Sequence, residues 1–244
     1  MSVVAAYDAL LASRVHLPSR VNATAKRIII FALLLAWCGA LLALRRIRSH
    51  DGSFDFIPWN LFLAIIPAIA ALIFERATNR PLRVLLFIVW LLFLPNAPYI
   101  LTDFVHLALR PNVPLWFDIA LLGSAAATGL LLGYMSVVDI QTAIARSFGK
   151  AAGWFVAVAA LLLTGFGIYL GRFLRWNSWD PLASPEQLFE EIARKTWNPV
   201  AHPRTIGVTF VYGVGITLGY VALRTIAATL PRDKWPRTHP SRPS

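Results

Sequence analysis

Six apolar stretches constrain this chain more than any other feature: 28–44, 57–74, 82–94, 115–135, 151–171 and 206–223. A hydrocarbon core of about 30 Å takes about 20 apolar residues at helical rise. Each stretch meets or approaches that length, and only Arg83 and Asp118 bring charge into them. A helix packed on a soluble core would keep a polar face, and these windows have almost none. Backbone polar groups find no partner in lipid, so segments of this kind cross as helices. The expected fold is all-α: a polytopic transmembrane helical bundle of about six spans. It divides into an N-terminal cytoplasmic segment (1–27), the six-span domain (28–230) and a proline-bearing, disordered C-terminal tail (231–244).

Composition agrees. Of 244 residues, 57% are hydrophobic and 14% charged, against about 25% charged in soluble domains. The net charge of +11 sits in short loops and termini rather than on one face. That distribution indicates cytoplasmic anchoring and contact with anionic lipids, and argues against a nucleic-acid partner. The one cysteine, Cys38, lies mid-span, where it reads as a small packing residue. The first stretch follows 27 residues and ends in Arg45-Arg46-Ile47-Arg48 without a small-residue cleavage site, so it is expected to be a retained span.

Six spans put both termini on one side. That side carries 14 Lys and Arg residues and the other 9, which favours cytoplasmic termini in a bacterial inner membrane. The Arg45–Arg48 cluster pulls the other way. Gly129 with Gly133, Gly167 with Gly171 and Gly215 with Gly219 have the small-xxx-small spacing of closely packed membrane helices. Packing within the bundle is the expected use. Pro67, in the second stretch, removes a backbone hydrogen bond and is expected to kink that helix.

Two segments break the pattern of apolar helix and short basic loop, both on the same side. The first is PNAPYILTDFVH, from Pro95 to His106. Pro95 is expected to end the third helix and Asn96 to cap another. In a helix continuing from there, Asn96, Tyr99, Asp103 and His106 would share one face, with Thr102 beside them. Such a stripe suits an interfacial or re-entrant element. Asp103 and His106 are candidates for an acid–base pair or ligand set. The plainer alternative is a turn with Tyr99 as an interfacial anchor. No metal signature is present, and no cofactor is expected.

The second segment is GRFLRWNSWDP, from Gly171 to Pro181. Arg172 and Arg175, three apart, would suit a phosphate or carboxylate. Trp176 and Trp179 flank Asn177 and Ser178, and Asp180 precedes Pro181. Trp and Arg at a span end are also routine anchors, and both readings stand. Beyond it, residues 184–195 have the capping spacing and two-faced pattern of a short interfacial helix in the last outer loop. Asp118 needs a partner at its depth, with Arg110, Arg172 or Arg175 as candidates, and Asp139 marks the opposite boundary.

With both motifs quoted, the chain resembles a bacterial family of multi-pass membrane proteins, domain of unknown function 1361. PNAPYILTD and GRFLRWNSWD carry the likeness, from the first loop to the end of the sixth span. The resemblance implies an integral membrane protein without an established activity, and supplies no substrate.

Three functions compete. The first is a structural or accessory protein whose polar motifs lock helices together and hold a membrane-protein partner. The second is an enzyme or binder for an anionic lipid or lipid-linked headgroup, with Arg172, Arg175, Asn177, Trp176 and Trp179 holding it. Asp103, His106 or Asp180 would then move protons. The third is a small transporter, disfavoured because spans one, two, five and six are nearly free of midplane charge. A single site requires Asp103 or His106 to lie within roughly 8 Å of Arg172 or Asp180.

Overall fold

The computed structural model describes residues 19–110, 112–174 and 203–229, with residues 186 and 190 besides. Six long helices account for nearly all of it: α1 Ser19–Ser49, α2 Ile57–Arg76, α3 Arg80–Phe93, α4 Leu115–Phe148, α5 Lys150–Phe173 and α6 Pro203–Thr229. With α3 taken through His106, all six are long and apolar enough to cross a bilayer. Among the described residues there is no strand, only an isolated bridge between Arg110 and Val113. This is a multi-pass helical membrane protein. The helix expected over 184–195 lies, apart from residues 186 and 190, outside the described residues, as does the 231–244 tail.

Helices outrun the apolar windows because backbone hydrogen bonding continues past the lipid boundary. Helix α4 has 34 residues, about 51 Å at helical rise. It continues through Asp139 and Gln141 to Gly149, whose φ of +90° permits the turn into α5. Helix α2 runs unbroken through the buried Pro67. Arg83 lays its guanidinium over the Phe74 ring, 4.6 Å from the centroid, which accounts for a charge inside the third window.

The chain after α3 differs from expectation. Leu94 and Pro95 keep right-handed helical dihedrals, and Pro95 occupies the cap position with no side-chain cap bond. Helix α3 does end at Phe93, just before Pro95, but the span runs on through these dihedrals; Asn96 does not cap, and its Nδ2 donates to the Phe93 carbonyl at 3.0 Å. A helical turn, Asn96–Tyr99, tightens into 3₁₀ turns, Ile100–His106. Three residues per turn align Ile100, Asp103 and His106 instead of the four-residue stripe. We call this stretch the α3 extension.

Helix α4 is central, packing on α1, α2, α5 and the α3 extension, while α6 packs chiefly on α5. The extension sits on α4 where side chains are missing. A Cβ at Gly133 would lie 2.9 Å from the Ala97 methyl, and one at Gly129 2.9 Å from Ile100 Cδ1. Across the bundle, a Cβ at Gly167 would stand 2.7 Å from Pro95 Cβ. The PNAPY turn is thus wedged between α4 and α5. Gly129 and Gly133 serve packing inside the bundle, as expected. Among the described residues nothing stands within 4 Å of a Cβ at Gly215, and the α5–α6 crossing uses Gly165 against Gly213 instead.

Helices α1 and α4 run antiparallel and are joined at both ends. Arg27 meets Asp139 at 2.9 Å, and Arg45 meets Asp118 at 2.8 Å. Arg27 and Arg45 are 18 residues apart, about 27 Å along a helix, close to the thickness of a hydrocarbon core. Between these charges the contacts are slight: Trp37 Nε1 donates to Ser124 Oγ at 3.2 Å, and Cys38 Sγ lies 3.7 Å from Thr128 Oγ1. Cys38 is buried, as a packing residue should be. We call the end bearing Arg27 and Asp139 the near end, and the other the far end.

Candidate functional site

Polar side chains from four helices, the α1–α2 loop, the α3 extension and the segment after it meet at the far end. Asp103, on the extension, is only 2% exposed. Its Oδ2 accepts from Asn60 Nδ2 of α2 at 2.8 Å, and its Oδ1 faces Arg172 Nη1 of α5 at 3.5 Å. Arg172 also places Nη2 3.3 Å from His106 Nε2. A guanidinium can only donate, so His106 Nε2 accepts in this contact, leaving the ring proton on Nδ1. The imidazole lies on Phe56, with centroids 4.9 Å apart. Asp103, His106 and Arg172, which the sequence places on two distant motifs, therefore share one site.

A second cluster adjoins the first. Asp118 is fully buried and lies between two arginines: Arg45 Nε at 2.8 Å on Oδ1, and Arg110 Nη1 at 3.0 Å on Oδ2. Arg110 is one of the partners expected from the sequence. Arg172 is not, being engaged by Asp103. Arg45, 1% exposed, also donates to Asp51 Oδ1 at 2.6 Å. Both guanidiniums lie over the Phe54 ring, at 4.3 and 5.0 Å from its centroid. Arg110 Nη2 reaches the His106 carbonyl at 3.4 Å, which links the clusters. In the loop, the hydrogen bond from Arg45 holds the Asp51 carboxyl below the usual carboxylate range, helped by the Ser53 backbone N–H.

The remaining expected residues divide. Thr102 is buried and donates to the Tyr99 carbonyl at 2.7 Å, closing the extension on itself. Tyr99 is half-buried on the same element. Asn96 donates Nδ2 to the Phe93 carbonyl. Arg175, Trp176, Asn177, Trp179 and Asp180 lie outside the described residues.

Asn60, Arg45, Asp51 and Phe54 were not singled out from the sequence. Asn60 did leave a signal: it is the only amide side chain in the 57–74 window, and a lone amide at membrane depth needs a partner. By sequence Arg45 belongs to a basic loop cluster, because the apolar window stops at 44. The helix continues to Ser49 and carries Arg45 into the bundle.

The chemistry open to this arrangement is narrow. Asp118 has an arginine donor on each oxygen, and Asp103 has the Asn60 amide on Oδ2 and the Arg172 guanidinium as an ion pair 3.5 Å from Oδ1. Among the described residues, no group of three His, Cys, Asp or Glu side chains converges as a metal ion would need. What the site offers outward is one face of Arg172, whose side chain is 21% exposed, and the exposed ring of His106.

Comparison with family models matches residues 59–219 to a protein of unknown function family, DUF1361. The chain belongs to that family. The matched region holds Asn60, Asp103, His106, Arg110, Asp118 and Arg172, while α1, with Arg27 and Arg45, precedes it. No curated protein and no solved structure matches the chain.

Proposed function

We propose that this DUF1361 member is a structural or accessory protein of the bacterial inner membrane, whose far-end polar site is an internal clasp. One observation carries the proposal: each buried carboxylate of the site is neutralised from within the chain. Asp103 takes Asn60 and Arg172, and Asp118 takes Arg45 and Arg110. A group poised for chemistry keeps a lone pair or proton directed at a substrate. These groups are directed at one another. Low dielectric strengthens such pairs once formed and makes them expensive to break, so the clasp fixes how the ends of α1, α2, α4 and α5 and the α3 extension meet. A fixed, tightly closed end is a suitable platform for a membrane-protein partner. The Lys and Arg distribution supports cytoplasmic termini and an extracytoplasmic clasp.

The second reading, a binder or enzyme for an anionic lipid or lipid-linked headgroup, draws on the exposed parts of Arg172 and His106. Arg175, Asn177, Trp176, Trp179 and Asp180 would complete it. A transporter has less support, since most buried polar groups between the ends are spent within the bundle, as in Trp90 with Ser136 and Thr164 with the Ala160 carbonyl.

Hydrogen–deuterium exchange on wild type and Arg172→Gln separates the two main readings. The clasp reading expects residues 96–106 to exchange at least about tenfold faster in the variant, the equivalent of about 1.4 kcal/mol of local opening. Unchanged protection there, with loss of a co-purifying anionic lipid, would replace the clasp by the headgroup site.

A further inference from the structure

Helix α1 lies against α4 and leaves an open furrow beside α2. At the near end this furrow is a groove of about 280 Å³ bounded by α1, α2 and α4. Its shaft is hydrocarbon: Phe31 and Leu35 from α1, Ile65 and Ala68 from α2, and Leu132 from α4. The one hydroxyl along it, Ser136, is occupied with the Gly133 carbonyl and Trp90 Nε1. A second groove of about 200 Å³ shares Leu35 and Ile65 and continues toward the far end.

Polarity is confined to the rim, at Thr24, Arg27 and Asp139. Arg27 gives only Nη1 to Asp139, and its side chain is 41% exposed. Lys26 beside it is exposed, and the first turn of α1 has no acidic residue. Arg27 is offset by Asp139 within the rim, and Lys26, the adjacent residue on α1 and outside the groove lining, adds a positive charge beside it.

We propose that this groove binds a membrane phospholipid of anionic headgroup, one acyl chain in the furrow and its phosphate at Arg27 and Lys26. An unfilled apolar groove forfeits dispersion contacts along its lining, and lipid chains are the apolar solvent at that depth. The dimensions favour a chain over a partner helix, which is about 10–12 Å across with its side chains and does not enter a groove of this volume. From Arg27 to Leu35 the furrow runs about 12 Å along α1, so the charge stands where a headgroup begins and the shaft where its tail lies. The site lies at the opposite end from the clasp and is independent of it.

The test uses the full chain in nanodiscs with a phosphatidylglycerol bearing a photoreactive diazirine on one acyl chain. Cross-linked peptides are mapped by mass spectrometry. Labelling should concentrate on the α1, α2 and α4 residues of the furrow. Unlabelled phosphatidylglycerol should compete at least fivefold better than phosphatidylcholine. Ala68→Phe, which fills the shaft, should abolish furrow labelling, whereas Arg27→Gln, which can still bond Asp139, should keep it and lose the preference for anionic competitor. Labelling spread evenly over the lipid-facing helices of the wild type would overturn the proposal, whatever the variants do. So would a co-purifying single-span partner whose removal is needed before any furrow labelling occurs.

Discussion

Asp118 offers the clearest quantitative consequence of the far-end arrangement. It is fully buried and is the counter-charge of Arg45, itself 1% exposed, and of Arg110. Asp118→Leu would leave Arg45 with Asp51 as its one remaining carboxylate partner among the described residues, where its Nη2 already has no hydrogen-bond partner. Removing one member of a buried ion pair costs about 3–5 kcal/mol. Asp51 remains and Arg110 is partly exposed, which puts the loss near about 3 kcal/mol. For a chain of this size that lowers Tm by roughly 6–12 °C. Unfolding can be followed in detergent by intrinsic fluorescence from the nine tryptophans. Arg45→Met/Asp118→Leu removes both charges, so the double variant should recover about 1–3 kcal/mol relative to the sum of the single losses. A single variant within about 2 °C of wild type, equivalent to less than about 1 kcal/mol, would refute the assignment of Asp118 as an essential buried counter-charge. So would strict additivity in the cycle.

Two further outcomes follow from the packing and the loop. Gly133→Leu should lift the α3 extension off α4, since its Cβ alone would stand 2.9 Å from the Ala97 methyl; overpacking costs about 1–3 kcal/mol, read as a lowered Tm. Gly215→Leu, with nothing within 4 Å of its Cβ among the described residues, should leave Tm nearly unchanged. Asp51 has its carboxyl lowered in the folded state, so its stabilisation is present above the unfolded value of about 4 and is lost as pH falls below it. Its side chain is 39% exposed, so the contribution is small. Wild type should lose slightly more stability than Asp51→Asn as pH is taken below about 4 in a Tm titration.

The six-span bundle was legible because lipid imposes an apolar length on each crossing, and no tertiary information is needed to see it. The convergence of Asp103, His106 and Arg172 was legible because both polar segments fell on one side of a six-span topology. Their partners were less so. Arg45 lies beyond the apolar window yet inside the helix, since hydrogen bonding rather than hydropathy decides where α1 stops. Asn60 carried a usable signal as the lone amide of its window, but nothing local says that it faces Asp103. The continuation through Pro95 was hidden for a different reason. Local chemistry ends α3 there, and the glycine seats on α4 and α5 hold the chain in helical dihedrals beyond that end.

The central claim is that the far-end charges act on one another. A thermal double-mutant cycle on Asp103→Asn and Arg172→Gln tests it most directly. The clasp predicts that each single variant lowers Tm and that the double is little worse than the larger single, a coupling of about 0.5–3 kcal/mol. Single variants as stable as wild type, or more stable, would contradict it, because groups held for function rather than structure are often replaced at no loss of stability.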